Sequence, residues 1–290
     1  MYYFLRLIAC LPLCVLQLMS SWVAFFLGSY NSSFKRITAI NLKLAYPQLN
    51  SQQQQDLIKG SLKSQCSTYF EFLKCWGMPA EYSLSLLKNI HGEQHFHDAI
   101  ANQKGIIVVV LHFGCWELLN AWLNLYSEPV IMYKPNKHPA INRYILASRE
   151  NFNAKLVETD EHGVRAIFKH LKQGGLTVIL PDHLPKQSGG LYSELFGQQV
   201  LSSTLVSKLA AKTQCNVIGL SCIRNTDRSG FDVHCRPLSE EILSRDTQQS
   251  LNSLNREIES MISLAPEQYL WSYKRFRNLK DQKNPYNKEN

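Results

Sequence analysis

Signatures of several common protein classes are absent from this chain of 290 residues. It contains no C-x-x-C pair, no zinc-finger or RNA-binding signature and no dense block of lysine and arginine, although its formal net charge is +8. A nucleic-acid partner is therefore not expected, and the positive charge favours an anionic membrane surface or an acidic protein. A G-x-S-x-G nucleophile elbow is also missing, which argues against a serine-hydrolase mechanism.

The eight cysteines do not suggest a disulfide framework. Several lie inside apolar segments, where a thiol behaves as a small hydrophobic group, and we interpret them as reduced thiols of a cytosolic polypeptide. Cys115 adjoins His112, so a nucleophilic role has to be weighed for it. Its place between Gly114 and Trp116, at the expected start of a helix, favours a structural role instead. No metal and no cofactor is expected.

Charged residues are absent from positions 7–28, LIACLPLCVLQLMSSWVAFFLG. This segment is long enough to cross the ~30 Å hydrocarbon core of a bilayer as a helix, and Pro12 could kink it. One arginine precedes the segment and three basic residues follow it within 15 positions, so the rest of the chain is expected on the cytoplasmic side of an inner membrane. The alternative is a cleaved signal peptide, but no small-x-small cleavage site follows.

The remainder of the chain alternates between strand and helix patterns. Short β-rich segments occur at 105–111, 130–134, 154–157, 176–180 and 216–223. Helical patterns occur at 93–103, 115–126, 139–151, 162–173, 200–214 and about 247–264. This alternation predicts an α/β fold with a mostly parallel central sheet flanked by helices. We expect two parts, a membrane anchor over residues 1–30 that spans or lies in the bilayer and one catalytic domain over residues 31–290.

One apolar segment, GIIVVVLHFGCWELLNAW at 105–122, stops abruptly at a histidine. Its first part is typical of a buried strand, so His112 falls at the carboxyl end, where ligands bind in open α/β sheets. Gly114 permits a tight turn, and Glu117 then lies in the first turn of the next helix. From there its carboxylate can hold one imidazole nitrogen and raise the basicity of the other. The pair predicts a general base that deprotonates a hydroxyl group. The alternative is a histidine that is only hydrogen-bonded at a strand end.

Six segments, taken in order, resemble one family over nearly the whole chain. They are NLKLAYPQL (41–49), HFGCWEL (112–118), YKPNKHPAINRYILASR (133–149), LPDH (180–183), GGLYSELFG (189–197) and APEQYLWSYKRFR (265–277). The second carries an H-x-x-x-x-[DE] core, and the last is similar to a PEQY-x-W-x-x-[KR]-RF signature. On these residues the chain resembles the bacterial late acyltransferases of lipid A synthesis, the lauroyl/myristoyl type within the lysophospholipid acyltransferases.

The resemblance implies transfer of a fatty acyl chain from an acyl-carrier-protein thioester, less often from coenzyme A, to a hydroxyl of a lipid A precursor. It implies that His112 is the general base and Glu117 its orienting partner. Backbone amides near Gly114 are candidate donors to the oxyanion that forms during attack.

The resemblance also implies a set of substrate-binding residues. Arg149 resembles the family's functional arginine, and a guanidinium suits the phosphates of a lipid A precursor; the alternative is a surface ion pair. Lys134 and Arg143 could bind phosphate or be solvated. Asp182 follows a predicted strand and could support the base or a bound sugar, or else serve only in a turn or cap. His183, where some relatives have glutamine, ranks lower.

Three features leave the acceptor and the partner open. The segments at 189–197 and 201–210 depart from the family pattern, so another acceptor lipid, such as a lysophospholipid, an ornithine lipid or a glycolipid, is an alternative. A thioesterase or a non-enzymatic membrane scaffold is a further alternative. The basic, aromatic tail around Trp271 and Arg275 is expected either to meet headgroups or the acidic carrier protein, or to be a plain surface.

Overall fold

A seven-stranded sheet organises the structure, a computed structural model that describes residues 2–30, 32–150 and 154–287, without the side chains of residues 2 and 148–150. The strands are β1 (Leu87–His91), β2 (Ile106–Gly114), β3 (Val130–Tyr133), β4 (Lys155–Glu158), β5 (Leu176–Ile179), β6 (Gly190–Leu195), β7 (Gln198–Ser203), β8 (Asn216–Arg224) and β9 (Phe231–Pro237). The sheet has the order β1-β9-β8-β2-β5-β3-β4, and β6 and β7 form a separate hairpin. Strands β8, β2, β5, β3 and β4 pair in parallel, whereas β9 runs antiparallel to β8.

Helices cover both faces of this sheet. They are α1 (Tyr2–Cys10), α2 (Leu13–Ser29), α3 (Ser33–Ala45), α4 (Ser51–Gly77), α5 (Ala80–Ser85), α6 (Glu93–Ala101), α7 (Leu119–Leu123), α8 (Pro139–Glu150), α9 (Glu161–Lys172), α10 (Leu205–Thr213) and α11 (Thr247–Ile262). The predicted α/β fold with a mostly parallel sheet is confirmed.

The continuous apolar sequence of β2 follows from burial on both of its faces. Ile107, Val109 and Leu111 belong to one hydrophobic cluster, and Ile106 and Val108 belong to another on the opposite side of the sheet. A central parallel strand covered by helices on both faces has no solvent-facing side, so its pattern does not alternate. This burial fixes the strand that ends at His112.

Several predicted elements differ from the structure. Part of the helix expected at 200–214 is strand β7, which pairs with β6 after a turn in which Phe196 and Gly197 both have positive φ. Such a two-residue turn matches the twist of a hairpin. Strands β1 and β9 were not predicted. The helix expected at 115–126 is a 3₁₀ turn, Trp116–Leu118, followed by the five residues of α7.

The apolar N-terminal segment is not one continuous helix. It is divided at Leu11–Pro12 into α1 and α2, whose axes differ in direction by 111°. Among the residues described, no single helix is long and apolar enough to cross a membrane, although this bent pair passes by length and composition when taken together. The structure therefore does not support one straight spanning helix, and the anchor stays a prediction.

A buried ion pair joins the sheet to α4, and its loss should destabilise the fold. Arg224 of β8 donates two hydrogen bonds of 2.5 Å to the Glu71 carboxylate, whose side chain is 2% exposed. Burial alone would lower the pKa of Arg224, but the negative charge of Glu71 and its hydrogen bonds outweigh burial, so the pKa of Arg224 is raised. Replacing Glu71 by glutamine leaves a buried guanidinium without its anion, so we expect a loss of about 3–5 kcal/mol in the free energy of unfolding.

Denaturant unfolding of the Glu71→Gln variant in detergent measures this effect. The exposed pair between Arg256 and Glu241 provides the control, because Glu241→Gln should change the free energy of unfolding by less than about 1 kcal/mol. Equal losses in the free energy of unfolding in both variants would show that the buried pair stabilises the fold no more than the exposed pair does.

Candidate functional site

His112 lies near the carboxyl end of β2, in backbone that is held from two sides. Its carbonyl oxygen accepts a hydrogen bond of 2.9 Å from the amide of Leu270 in the C-terminal segment. The next residue, Phe113, forms an isolated antiparallel bridge with Tyr269, and Gly114 pairs with Cys222 of β8. Main-chain contacts alone therefore fix the backbone at the end of β2.

Asp182 meets His112 because the parallel register of two neighbouring strands brings them together. Val109 of β2 pairs with Ile179 of β5, and each of the two residues lies three positions beyond this pair. The Asp182 carboxylate accepts a bond of 2.9 Å from Nδ1 of the imidazole and one of 3.0 Å from the His112 backbone amide. One carboxylate therefore fixes both the backbone and the ring of His112.

The charge state of Asp182 follows from the same contacts. Its side chain is fully buried, and burial alone would raise its pKa. The positive charge that His112 can carry and the hydrogen bonds from His112 outweigh burial, so the pKa of Asp182 is lowered. Since the ionised carboxylate only accepts hydrogen bonds, we assign the neutral imidazole its proton at Nδ1, which leaves Nε2 as the basic nitrogen. No hydrogen bond to Nε2 occurs within the described part of the chain.

The His112 ring is also clamped by aromatic contacts. The ring of His183 stacks on it with a centroid distance of 3.6 Å and an interplanar angle of 5°. Tyr273 stacks on the far side of His183 at 3.9 Å, and its hydroxyl accepts a hydrogen bond from the Leu184 amide. Trp116 meets the edge of His112 at 5.1 Å. Sequence reasoning ranked His183 low, although its place directly after Asp182 could have indicated a position beside the imidazole.

Glu117 lines the same cavity as His112 but does not hold Nδ1. Its carboxylate accepts hydrogen bonds from Trp76 Nε1 at 3.0 Å and from Asn120 Nδ2 at 3.2 Å. The sequence expectation that Glu117 orients the imidazole therefore differs from the geometry at Nδ1, where Asp182 stands. The difference arises because strand register, which is non-local, brings Asp182 to the ring, while Trp76 of α4 holds Glu117.

The cavity beside these two side chains is small and mostly apolar. Its volume is about 180 Å³, and His112, Trp116 and Glu117 lie on its wall. The remaining lining residues, most of them aliphatic, are Val110, Leu119, Asn120, Leu123, Ile131, Met132, Val178 and Leu180. An imidazole and a carboxylate beside an apolar lining suit a ligand that carries a polar group at the end of a hydrocarbon chain.

Cys115 does not take part in this site as a nucleophile. It is fully buried, its Sγ lies 3.8 Å from Sγ of Cys75, and burial raises its pKa well above the usual value. Its backbone amide donates to the carbonyl of Cys222 at 2.8 Å, so an oxyanion donor near Gly114 would have to be a different amide. Gly114 has φ +60°, and a Cβ there would lie 1.9 Å from that carbonyl oxygen, which explains the glycine.

The expected phosphate-binding residues lie on or beside α8. Lys134 follows β3 and is exposed, and Arg143 is exposed on α8. Asn142 accepts hydrogen bonds from the hydroxyl of Tyr133 and from a backbone amide of the same loop, which ties the start of α8 to the end of β3. Arg149 belongs to the last turn of α8, but its side chain lies outside the described residues. Lys134 and Arg143 thus flank one folded loop at the same edge of the sheet as His112.

The C-terminal signature has a structural role that the sequence did not reveal. Trp271, Arg275 and Phe276 are at most 3% exposed, so they are not part of a surface edge, and both sequence interpretations of these three residues are wrong. The Arg275 guanidinium donates to the Leu201 carbonyl at 2.8 Å and to Ser202 Oγ at 2.7 Å, and burial lowers its pKa. These hydrogen-bond acceptors on β7 stabilise the guanidinium of Arg275 in the interior.

Comparison with known proteins connects this site to one family. The family model described as bacterial lipid A biosynthesis acyltransferase matches residues 1–278. The chain is 23% identical over 285 residues to a lipid A biosynthesis acyltransferase of Haemophilus influenzae, covering 98% of this chain and 88% of that protein. It is 24% identical over 243 residues to the lipid A biosynthesis lauroyltransferase of Escherichia coli, covering 83% and 78%. For the palmitoleoyltransferase of the same organism the identity is 24%, with coverage of 82% and 76%.

The stacked His183 should make the stability of the protein depend on pH. Burial, together with the positive charge that His112 can carry and the charge of Arg275, lowers the pKa of His183 to about 4 from an ordinary value of 6.5. Because the pKa of His183 is lower in the folded protein than in the unfolded chain, protonation favours unfolding. The contribution of neutral His183 to stability is therefore complete above about pH 6.5 and is lost as the pH falls towards 4. We expect a loss of up to about 3 kcal/mol over this window.

Thermal unfolding between pH 7.5 and 4.5 measures the loss. The His183→Gln variant cannot titrate at this position and should have a flatter profile than the wild type. His95→Gln, at an exposed position of α6, is the control and should leave the profile unchanged. If His183→Gln and the wild type have the same pH profile, the assignment to His183 is wrong.

Proposed function

The chain belongs to the bacterial lipid A biosynthesis acyltransferase family, and we propose that it transfers a fatty acyl chain from an acyl-carrier-protein thioester to a hydroxyl group of a lipid A precursor. The observation that carries this mechanism is the hydrogen bond from His112 Nδ1 to the buried Asp182, which leaves Nε2 basic beside an apolar cavity. The enzyme would work at the inner membrane with its catalytic domain on the cytoplasmic side, where the carrier protein is found.

His112 acts as the general base in this proposal. Nε2 removes the proton of the acceptor hydroxyl while the oxygen attacks the thioester carbonyl. The carbon–oxygen bond forms, the carbon–sulfur bond breaks, and the imidazolium returns the proton to the thiolate that leaves. Asp182 stabilises the imidazolium during this step and keeps the ring in one tautomer. No covalent enzyme intermediate is needed, which agrees with the buried state of Cys115.

Glu117 is proposed as the second carboxylate of the base. Hydrogen bonds from Trp76 and Asn120 fix it on the wall of the cavity that His112 also lines. Because Nδ1 is engaged by Asp182, Glu117 would act from the cavity side, where it can orient the acceptor hydroxyl or stabilise the imidazolium. In this arrangement Asp182 holds Nδ1 of His112, as the geometry shows, and Glu117 keeps the role in the base that the sequence predicted.

Basic residues at the sheet edge that carries His112 support a phosphorylated acceptor. Lys134 and Arg143 flank the loop that Asn142 ties together, at the same sheet edge as His112. Together with Arg149 they would bind the phosphates of a lipid A precursor, since guanidinium and ammonium groups both suit phosphate oxygens.

A second surface supports an acidic carrier protein as donor. Between α9 and α10 lies an apolar groove of about 270 Å³, whose wall includes Phe168 and whose rim includes Lys208 and Lys212. This groove shares Val164 with a neighbouring cavity of about 550 Å³. Met132 lines both that neighbouring cavity and the cavity of His112. Shared lining residues thus place a basic surface, two apolar hollows and the cavity of His112 next to one another. This arrangement suits a carrier that presents its thioester on a long arm.

An acyl-transfer assay in detergent tests the reaction and the roles of the two carboxylates. It combines the purified protein, a panel of acyl-carrier thioesters and an under-acylated lipid A precursor. We expect His112→Ala to lower kcat by about 10²–10⁴-fold through loss of the base, and Asp182→Asn to lower it similarly through loss of the correct tautomer. Glu117→Gln should lower kcat as well if Glu117 belongs to the base.

The products separate this proposal from its rivals. A gain of one acyl mass on the lipid A precursor, absent in His112→Ala, supports it. Acyl release without a lipid product would indicate a thioesterase, and transfer only to another lipid would keep the mechanism but change the acceptor. Full activity of Asp182→Asn would contradict the tautomer argument.

Charge reversal at the rim of the α9–α10 groove tests the donor. We expect Lys208→Glu/Lys212→Glu to raise KM for the acyl-carrier thioester about tenfold with little change in kcat, because rim charges act mainly on encounter. Activity with the same acyl group on coenzyme A should change much less. Lys88→Glu/Lys104→Glu, away from this groove, is the control with the same change of net charge. Equal effects of the two double variants would contradict a specific docking surface.

A further inference from the structure

A groove separate from the catalytic cavity lies between α2 and α4. Its volume is about 780 Å³, within the ~300–1,000 Å³ of typical small-molecule sites. Ala24, Phe25 and Gly28 form one wall, and Ile58 and Leu62 form the other. The groove shares no lining residue with the cavity of His112. An apolar trough of this size between two helices suits a hydrocarbon chain.

Three lysines line the same groove. Lys59 and Lys63 are exposed one turn apart on the same face of α4, an arrangement in which like charges repel. Lys35 of α3 is held beside the end of α2, where its Nζ donates a bond of 2.6 Å to the carbonyl of Gly28. Within the described residues none of the three forms an ion pair with a carboxylate. An anion at this position would relieve the repulsion.

The helix that forms the apolar wall also exposes apolar side chains to the outside. Leu18, Trp22 and Phe25 of α2 are 59–66% exposed, and Phe26 is 53% exposed. A contiguous exposed patch of this kind marks a surface that meets a membrane or another partner. Lysines beside it can keep their ammonium groups at the level of lipid headgroups while their stems lie along apolar surface.

We propose that this groove binds one anionic glycerophospholipid, with its phosphate on Lys35, Lys59 and Lys63 and an acyl chain between α2 and α4. The headgroup must carry net negative charge, because the cationic part of a zwitterionic headgroup would be repelled by the three lysines. The site does not depend on the acyl-transfer reaction. It selects an anionic membrane surface and holds the α2–α4 pair there.

Two variants separate a built site from general attraction to negative lipid. Lys59→Glu/Lys63→Glu reverses the rim charges at exposed positions. Gly28→Leu keeps all the charges but fills the groove, and the added Cβ has its nearest neighbour at an ordinary 3.9 Å, on Leu62 Cδ1. Lys88→Glu/Lys104→Glu makes the same change in net charge at exposed positions on β1 and before β2 and serves as the matched control.

Native mass spectrometry of the full chain in detergent, after incubation with equal amounts of phosphatidylglycerol and phosphatidylcholine, measures the lipid that stays bound. We expect one phosphatidylglycerol per wild-type chain and in the Lys88→Glu/Lys104→Glu control, and at least a tenfold loss in the other two variants. Thermal unfolding should show that all variants remain folded.

Four results would overturn the proposal. Absence of retained lipid on the wild type would show that the groove is not a lipid site. Equal retention of phosphatidylcholine would remove the role of the lysines. Equal loss in the Lys88→Glu/Lys104→Glu control, or undiminished retention in Gly28→Leu, would show that diffuse charge rather than the groove holds the lipid.

Discussion

The hydrogen bond between His112 and Asp182 depends on one structural constraint, the in-register parallel pairing of β2 and β5. Both strands are covered on their two faces, so a shift of register would move apolar side chains out of both hydrophobic clusters at once. The burial of both faces of the sheet therefore fixes the position of His112 relative to Asp182. The fully buried Asp182 carboxylate stays ionised because the positive charge that His112 can carry, and the hydrogen bonds from the ring and backbone of His112, outweigh the effect of burial.

The C-terminal segment supports the same contact from the other side. Its backbone pairs with the end of β2, Tyr273 completes the stack on His183, and Arg275 is anchored on β7. The signature at 265–277 therefore supports the position of His112, and its residues Trp271, Arg275 and Phe276 face inwards. Binding energy from many buried contacts far from the reacting atoms is a general way to hold a catalytic ring in one orientation.

The sequence predicted those features that depend on local pattern. The buried strand ending at His112, the glycine turn after it and the alternation of strands and helices all leave periodic or positional signals. The strand-end position of Asp182 indicated that it could support the base, but local pattern could not decide whether Asp182 or Glu117 contacts Nδ1. That contact is set by the pairing of strands some 70 residues apart. Arg275 was expected at the surface because charged residues are almost never fully buried unless paired. The break at Pro12 was foreseen as a kink, but its 111° bend depends on packing against α4 and α8, which the sequence does not specify.

That packing also suggests how a lipid substrate could reach His112, the proposed base, at the edge of the sheet. Tyr144 of α8 donates to the Leu73 carbonyl of α4, and a Cβ at Gly77 would lie within 2.4 Å of Ala9 in α1, so the three helices are in close contact. Helix α8 also carries Arg143 and Arg149, the residues proposed to bind the acceptor. The apolar N-terminal helices and α8 therefore form one packed unit beside the sheet edge at which His112 lies. If α1 and α2 lie in the membrane as proposed, an acceptor lipid can present its headgroup to α8 and its hydroxyl to His112 while most of its acyl chains remain in the bilayer. A straight spanning helix would not give this arrangement, because it would carry the chain away from the surface on which α8 lies.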